Sequence, residues 1–189
     1  MSCIVGVIEG NKVFMGADSA GTAPQSLEQV SCKTPKIYTE GNFIIGMVGS
    51  YRGIQLMKDY LDLEKREEIV REVMPDARPY EVISGIVNDM RNIFIDYGFT
   101  ETKEGRENGG HFLIGYRAGL YLIQPEYDIT EPAYPFYSIG NGDMAAFGAL
   151  YAMADSAMEP VERIKLALSA AQEFSAAVRE PWVIDSVGE

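Results

Sequence analysis

The chain has 189 residues, 47% of them hydrophobic and 23% charged, which is the make-up of one globular domain with room for a sizeable core. Lysine and arginine total 16 against 28 aspartates and glutamates, a net charge of -12 that phosphate backbones and anionic lipid surfaces repel, so neither nucleic-acid nor membrane binding is expected. Cys3, Cys32 and a single histidine, His111, supply neither a disulfide framework nor the usual zinc spacings, and no metal or other cofactor is expected.

Residues 3–8, Cys-Ile-Val-Gly-Val-Ile, form a short apolar and β-branched run that predicts a buried strand. Gly10-Asn11 turns the chain, and residues 12–17 return as a second strand that ends at Asp18-Ser19-Ala20-Gly21. A second pair is expected over residues 36–39 and 43–48 around Gly41-Asn42, and Gly49-Ser50 leads into a helix over about residues 53–63. Residues 64–78 are charged and contain Pro75, which predicts a connection. From Tyr80 to Tyr97, Val82, Ile83, Ile86, Val87, Met90, Ile93, Phe94 and Tyr97 repeat at helical spacing, and Gly98 suits the helix end.

Residues 100–110 are polar and glycine-rich and predict a loop, while residues 111–116 and 120–124 predict a third hairpin. A short strand at residues 137–139 runs into Gly140-Asn141-Gly142, followed by helices over about residues 143–153 and 160–178 and a last strand at 182–184. Hairpins outnumber β-α-β crossovers, so an α+β domain of two mainly antiparallel sheets, packed on each other with helices outside, uses every apolar face. No repeat or linker divides the chain, and one domain over residues 1–189 is expected. No apolar run approaches the ~20 residues of a membrane-spanning helix, and the start lacks a signal-peptide pattern, which sets a soluble, cytoplasmic protein as the expectation.

Chemistry is first sought at the N-terminus. Removal of Met1 exposes Ser2, a hydroxyl beside a free α-amine whose ordinary pKa of about 7.7–8.0 lets it act as base for its own side chain. The first hairpin brings Asp18 back beside the start of strand one. A carboxylate there can hold a lysine, and Lys36, at the head of the next strand, is the candidate. Gly49 ends that strand's partner, where a backbone N–H can approach a developing oxyanion with no side chain in the way.

Residues 2–7 (Ser-Cys-Ile-Val-Gly-Val), Gly16-Ala17-Asp18-Ser19, Lys36-Ile37-Tyr38 and Gly46-Met47-Val48-Gly49-Ser50 resemble the first half of proteasome β-subunits, and more closely their bacterial relative, the peptidase subunit HslV. Ser138-Ile139-Gly140-Asn141-Gly142 before an alanine-rich helix resembles the family's second-half turn. The resemblance spans nearly the whole chain, rests on the order and spacing of these motifs, and is weakest over residues 64–110. It implies an N-terminal nucleophile hydrolase fold, a four-layer αββα sandwich, and peptide-bond hydrolysis at the mature N-terminus. On this basis Ser2 matches the nucleophile and its amine the base, Asp18 the carboxylate that orients the lysine, Lys36 that lysine, and Gly49 the oxyanion glycine. Asn141 matches a serine that hydrogen-bonds near the terminal amine.

The chain departs from the family pattern in its serine nucleophile, in Asn141 for serine, and in Ser175 where proteasomes carry a second aspartate. Lys33 aligns nearly as well as Lys36, so both stay open as the site lysine. The resemblance also implies a homo-oligomer, with a ring as one form, a peptide or protein substrate, and room for an ATPase unfoldase partner. Two other readings stand beside it: a non-catalytic assembly subunit and an amidase of the same fold acting on a small amide. Outside the site, Cys3 reads as a core residue, Cys32 as a spare thiol and His111 as a structural strand-edge histidine.

Overall fold

The computed structural model describes residues 2–23 and 28–188. One sheet contains β1 (Cys3–Glu9), β2 (Lys12–Ala17), β12 (Phe136–Gly140) and β13 (Val183–Val187) in the order β12-β1-β2-β13. The other contains β5 (Ile37–Glu40), β6 (Phe43–Val48), β9 (His111–Tyr116), β10 (Gly119–Ile123) and β11 (Ile129–Thr130) in the order β11-β10-β9-β6-β5. Every pairing in both sheets is antiparallel.

Side chains alternate across these strands, and that alternation builds three apolar layers. On β1, Cys3, Val5 and Val7 face α4 (Asp143–Ala152) and α5 (Pro160–Phe174), joining Ala146, Leu150, Ile164 and Leu168. Ile4 points the other way, into a layer between the sheets with Val13, Met15, Ile44 and Leu113. Phe43, Ile45, Phe112 and Ile114 then face α1 (Tyr51–Tyr60), α2 (Leu63–Val73) and α3 (Pro79–Asp96). The result is the four-layer αββα sandwich expected from the sequence. Gly115 allows the sheets to close, because a Cβ there would lie 2.6 Å from both Ile44 and Val13 side-chain atoms.

Three segments differ from the sequence reading. Residues 64–78 are not a connection throughout, since α2 occupies Leu63–Val73. Its buried residues are only Leu63 and Val70, a stripe too sparse to stand out among charges, and the Asp62 side chain caps it by accepting from Lys65 N at 2.9 Å. Residues 100–110 are not a plain loop, since β7 (Glu101–Lys103) and β8 (Arg106–Asn108) pair across Glu104 and Gly105, both at positive φ (53° and 79°) as a tight two-residue hairpin requires. A short pair, β3 (Ala20–Thr22) with β4 (Gln29–Ser31), also escaped detection. Three boundaries move as well: α1 starts at Tyr51, α5 stops at Phe174, just before Ser175, and β13 runs to Val187.

Candidate active site

The β1–β2 hairpin sets the first part of the site. Ile4 faces Ala17 across the pair, so the next residue, Asp18, lies beside the start of β1. Asp18 N donates to Cys3 O at 3.2 Å, and Cys3 N donates to Asp18 Oδ1 at 2.8 Å. Lys36 Nζ also donates to Oδ1, at 2.8 Å, and Ala20 N donates to Oδ2 at 2.9 Å. The ion pair is closed to solvent, with side-chain exposures of 3% for Lys36 and 0% for Asp18. Lys36 is tied to the neighbouring strand by its own carbonyl, which accepts from Met47 N at 3.2 Å. Lys33 is exposed, and Lys36 is the lysine that pairs with Asp18.

Ser2 is buried, and its carbonyl accepts from Asn141 N at 2.7 Å. Gly140 makes that approach possible: its φ is +101°, and a Cβ there would fall 2.0 Å from Ser2 O. The Asn141 side chain is itself exposed, so what this residue gives Ser2 is a backbone N–H. Gly49 follows β6 at φ +103°, with nothing within 4 Å of a Cβ position, so conformation rather than crowding calls for glycine. Ser2, Lys36 and Gly49 together line one cavity of about 70 Å³, whose walls include Thr22, Met47, Ser50 and Tyr51.

Burial holds Lys36 below the ordinary lysine range, while the Asp18 carboxylate pulls the other way. Cys3 is pushed up to about 12, by burial first and then by the Asp18 and Asp143 charges, which keeps its thiol neutral. Tyr51 is raised too, by burial and by the adjacent Cys32 and Asp18. Tyr51 and Thr22 were missed in the sequence. The Thr22 hydroxyl oxygen is buried with no hydrogen-bond partner among the described residues, and the Tyr51 hydroxyl is buried beside the Cys32 thiol. A tyrosine opening a helix directly after Gly49-Ser50 was the available signal for the second of them. His111 is half-buried at the head of β9, opposite Val48. Among the described residues, no three His, Cys, Asp or Glu side chains are grouped to hold a metal ion, and no helix is long and apolar enough to cross a membrane.

Comparison with solved structures places this architecture. BPH from Thiobacillus denitrificans superposes with a TM-score of 0.78 at 18% identity, covering 98% of this chain and 97% of that one. The fold is that of the proteasome-like N-terminal nucleophile hydrolases. HslV from Trypanosoma brucei shares it with a TM-score of 0.73 at 18% identity over 99% of both chains. The Anbu Gly-1 mutant from Hyphomicrobium sp. strain MC1 shares it with a TM-score of 0.70 at 18% identity, covering 100% of this chain and 81% of that one. No family model and no curated protein matches the sequence. The proteasome-like fold places residue 2 at the head of β1, in the sheet that β12 and β2 flank.

Proposed function

We propose that this chain is a proteasome/HslV-like peptidase subunit that hydrolyses peptide bonds with Ser2 as nucleophile after removal of Met1. The observation that carries the proposal is the buried Lys36–Asp18 pair, 2.8 Å long, whose lysine lines the same cavity as Ser2 and Gly49. A cation desolvated to this degree beside a hydroxyl favours its alkoxide. In the reaction, Ser2 Oγ attacks the substrate carbonyl carbon and its proton passes to the Ser2 α-amine. The Gly49 N–H stabilises the oxyanion of the tetrahedral intermediate. The C–N bond then breaks, the α-amine returns the proton to the leaving amine, and Ser2 holds the acyl group as an ester. Water, deprotonated by the same amine, cleaves the ester and restores the enzyme. Asp18 fixes Lys36 and, through Cys3 N, the start of β1. Asn141 steadies the Ser2 carbonyl through its backbone.

We assign the working protein to a homo-oligomer. Met144, Tyr151 and Phe174 stand exposed on α4 and α5, with Phe174 at 80%, and supply apolar side chains that a second copy could cover. The chain's acidity and its fold are consistent with a cytoplasmic setting. Met1 lies outside the described residues, so its removal is read from the protein itself. Intact mass measured with and without a β-lactone that acylates N-terminal hydroxyls is the test. A mass lacking Met1, with one adduct that disappears in Ser2→Ala, supports the reading. Retained Met1 with no adduct, or a fully active Ser2→Ala, overturns it and brings forward the assembly-subunit alternative. A single subunit mass by light scattering at micromolar concentration overturns the oligomer.

A further inference from the structure

Gly49 also lines a second groove, of about 330 Å³. It shares Met47, Gly49 and Ser50 with the cavity that holds Ser2, so a chain bound across Gly49 meets both. One wall is the end of β6 and the other is the β7–β8 hairpin, which contributes Glu101 and Asn108. Met47 and Phe99 supply the apolar floor, and Phe99 is held edge-on against Phe94 at 4.7 Å. Met47 in turn packs against Gly53 and Gly110, where a Cβ would lie 2.3 Å and 3.0 Å from its side-chain atoms.

The charges of the hairpin are distributed unevenly. Glu107 is taken by Arg91 and Arg106 pairs with Glu126, whereas Glu101 has no ion-pair partner among the described residues. Asn108 is exposed and uses its Oδ1 to accept from Gly110 N at 3.1 Å. The groove therefore pairs an apolar floor with one uncommitted carboxylate at its rim, on a chain whose net charge is -12.

We infer that this groove is a substrate subsite that takes a basic side chain, arginine ahead of lysine, from the peptide being cut. The aliphatic stem lies along Met47 and Phe99, and the guanidinium reaches the Glu101 carboxylate, to which its fork can donate two hydrogen bonds. The inference rests on the hydrolase reading above, because the groove has meaning as a subsite only if Ser2 cuts peptides. It adds a specificity determinant drawn from a hairpin that lies outside the catalytic residues.

The test is a peptide set in which each position in turn carries arginine, leucine or glutamate, cut by the full-length wild type, Glu101→Gln and Glu101→Lys. At one position, wild type is expected to favour arginine over glutamate by about tenfold in kcat/KM, the lower end for a charge-assisted contact at an open site. Glu101→Gln removes that preference and Glu101→Lys reverses it. Glu101 is exposed, so neither substitution threatens the fold. If Ser2 takes the β-lactone adduct and peptides are cut, but the arginine-to-glutamate ratio is the same in all three proteins, the subsite is overturned while the hydrolase reading stands. If wild type takes no adduct and cuts no peptide, both fail together.

Discussion

Replacing Lys36 by methionine keeps most of the side-chain length and removes the ammonium group with its hydrogen bond to Asp18, leaving that carboxylate with 0% exposure and without its ion-pair partner. Breaking one side of a buried ion pair costs about 3–5 kcal/mol. Here the Cys3 and Ala20 N–H groups still donate to the two carboxylate oxygens, at 2.8 and 2.9 Å, which places the expected loss near the lower end, about 3 kcal/mol. With a urea m-value of about 2–3 kcal/mol per molar, the unfolding midpoint falls by about 1–1.5 M. A chain of this size loses roughly 6–12 °C in melting temperature for the same change. The single tryptophan, Trp182, packs on the α4–α5 core and reports the transition by fluorescence, at one fixed protein concentration for all variants. Lys33→Met is the control, since Lys33 is exposed and its loss is expected to cost less than about 0.5 kcal/mol. If Lys36→Met proves no more destabilising than Lys33→Met, the buried pair is not ionised as argued, and the electrostatic role given to Lys36 falls with it.

Other outcomes follow from the same geometry. Gly49→Ala forces a Cβ into φ +103° with no steric neighbour, so it is expected to lose about 1–3 kcal/mol of stability. If its N–H serves the oxyanion, steady-state peptide cleavage falls by about 10²–10³; a loss of stability with unchanged turnover removes Gly49 from the site. Cys3 is held neutral in the folded chain up to about 12, against an ordinary thiol value of 9.0. The unfolded thiol ionises first, so this group's contribution to stability is fully present below pH 9.0 and is lost by about 12. Between these limits the loss runs at up to about 1.4 kcal/mol per pH unit. Urea titrations across that range are expected to show a shallower alkaline decline in Cys3→Ala; equal slopes refute the assignment.

The strands were legible because residues of alternating orientation are both apolar here, one facing a helix layer and one facing the opposite sheet. Cys3-Ile4-Val5 reads as a continuous run for that reason, with Cys3 and Val5 in one layer and Ile4 in another. Asp18, Lys36 and Gly49 were legible as strand-end residues that hairpin register would bring together. Which of Lys33 and Lys36 meets Asp18 was not, because it depends on where β5 begins after a segment without pattern, and only the paired geometry shows it. The α2 helix was hidden because Glu67, Arg71, Tyr116 and Arg117 hold it by a polar network, with Tyr116 Oη and Glu67 joined directly. The β7–β8 hairpin was hidden because its strands carry no apolar alternation and its turn uses a glutamate at positive φ.

The placement of Ser2 also determines which substitutions can be interpreted. Its carbonyl is held by Asn141 N, and the next N–H, that of Cys3, is held by Asp18 Oδ1, so the peptide unit following Ser2 is fixed at both ends. Oδ1 is the same oxygen that receives Lys36 Nζ. Asp18 therefore holds the backbone beside Ser2 and binds the lysine through one atom, and no change at Asp18 separates the two. Asn in its place must turn an amide donor toward one of the backbone N–H groups, which disturbs β1 as well as the lysine. Lys36→Met leaves the Cys3 and Ala20 contacts in place and removes the cation together with its hydrogen bond to Oδ1. A Lys36→Met protein that keeps the β-lactone adduct at Ser2 but forms it more slowly assigns Lys36 to electrostatics; one that forms it at the wild-type rate confines the pair to holding the fold.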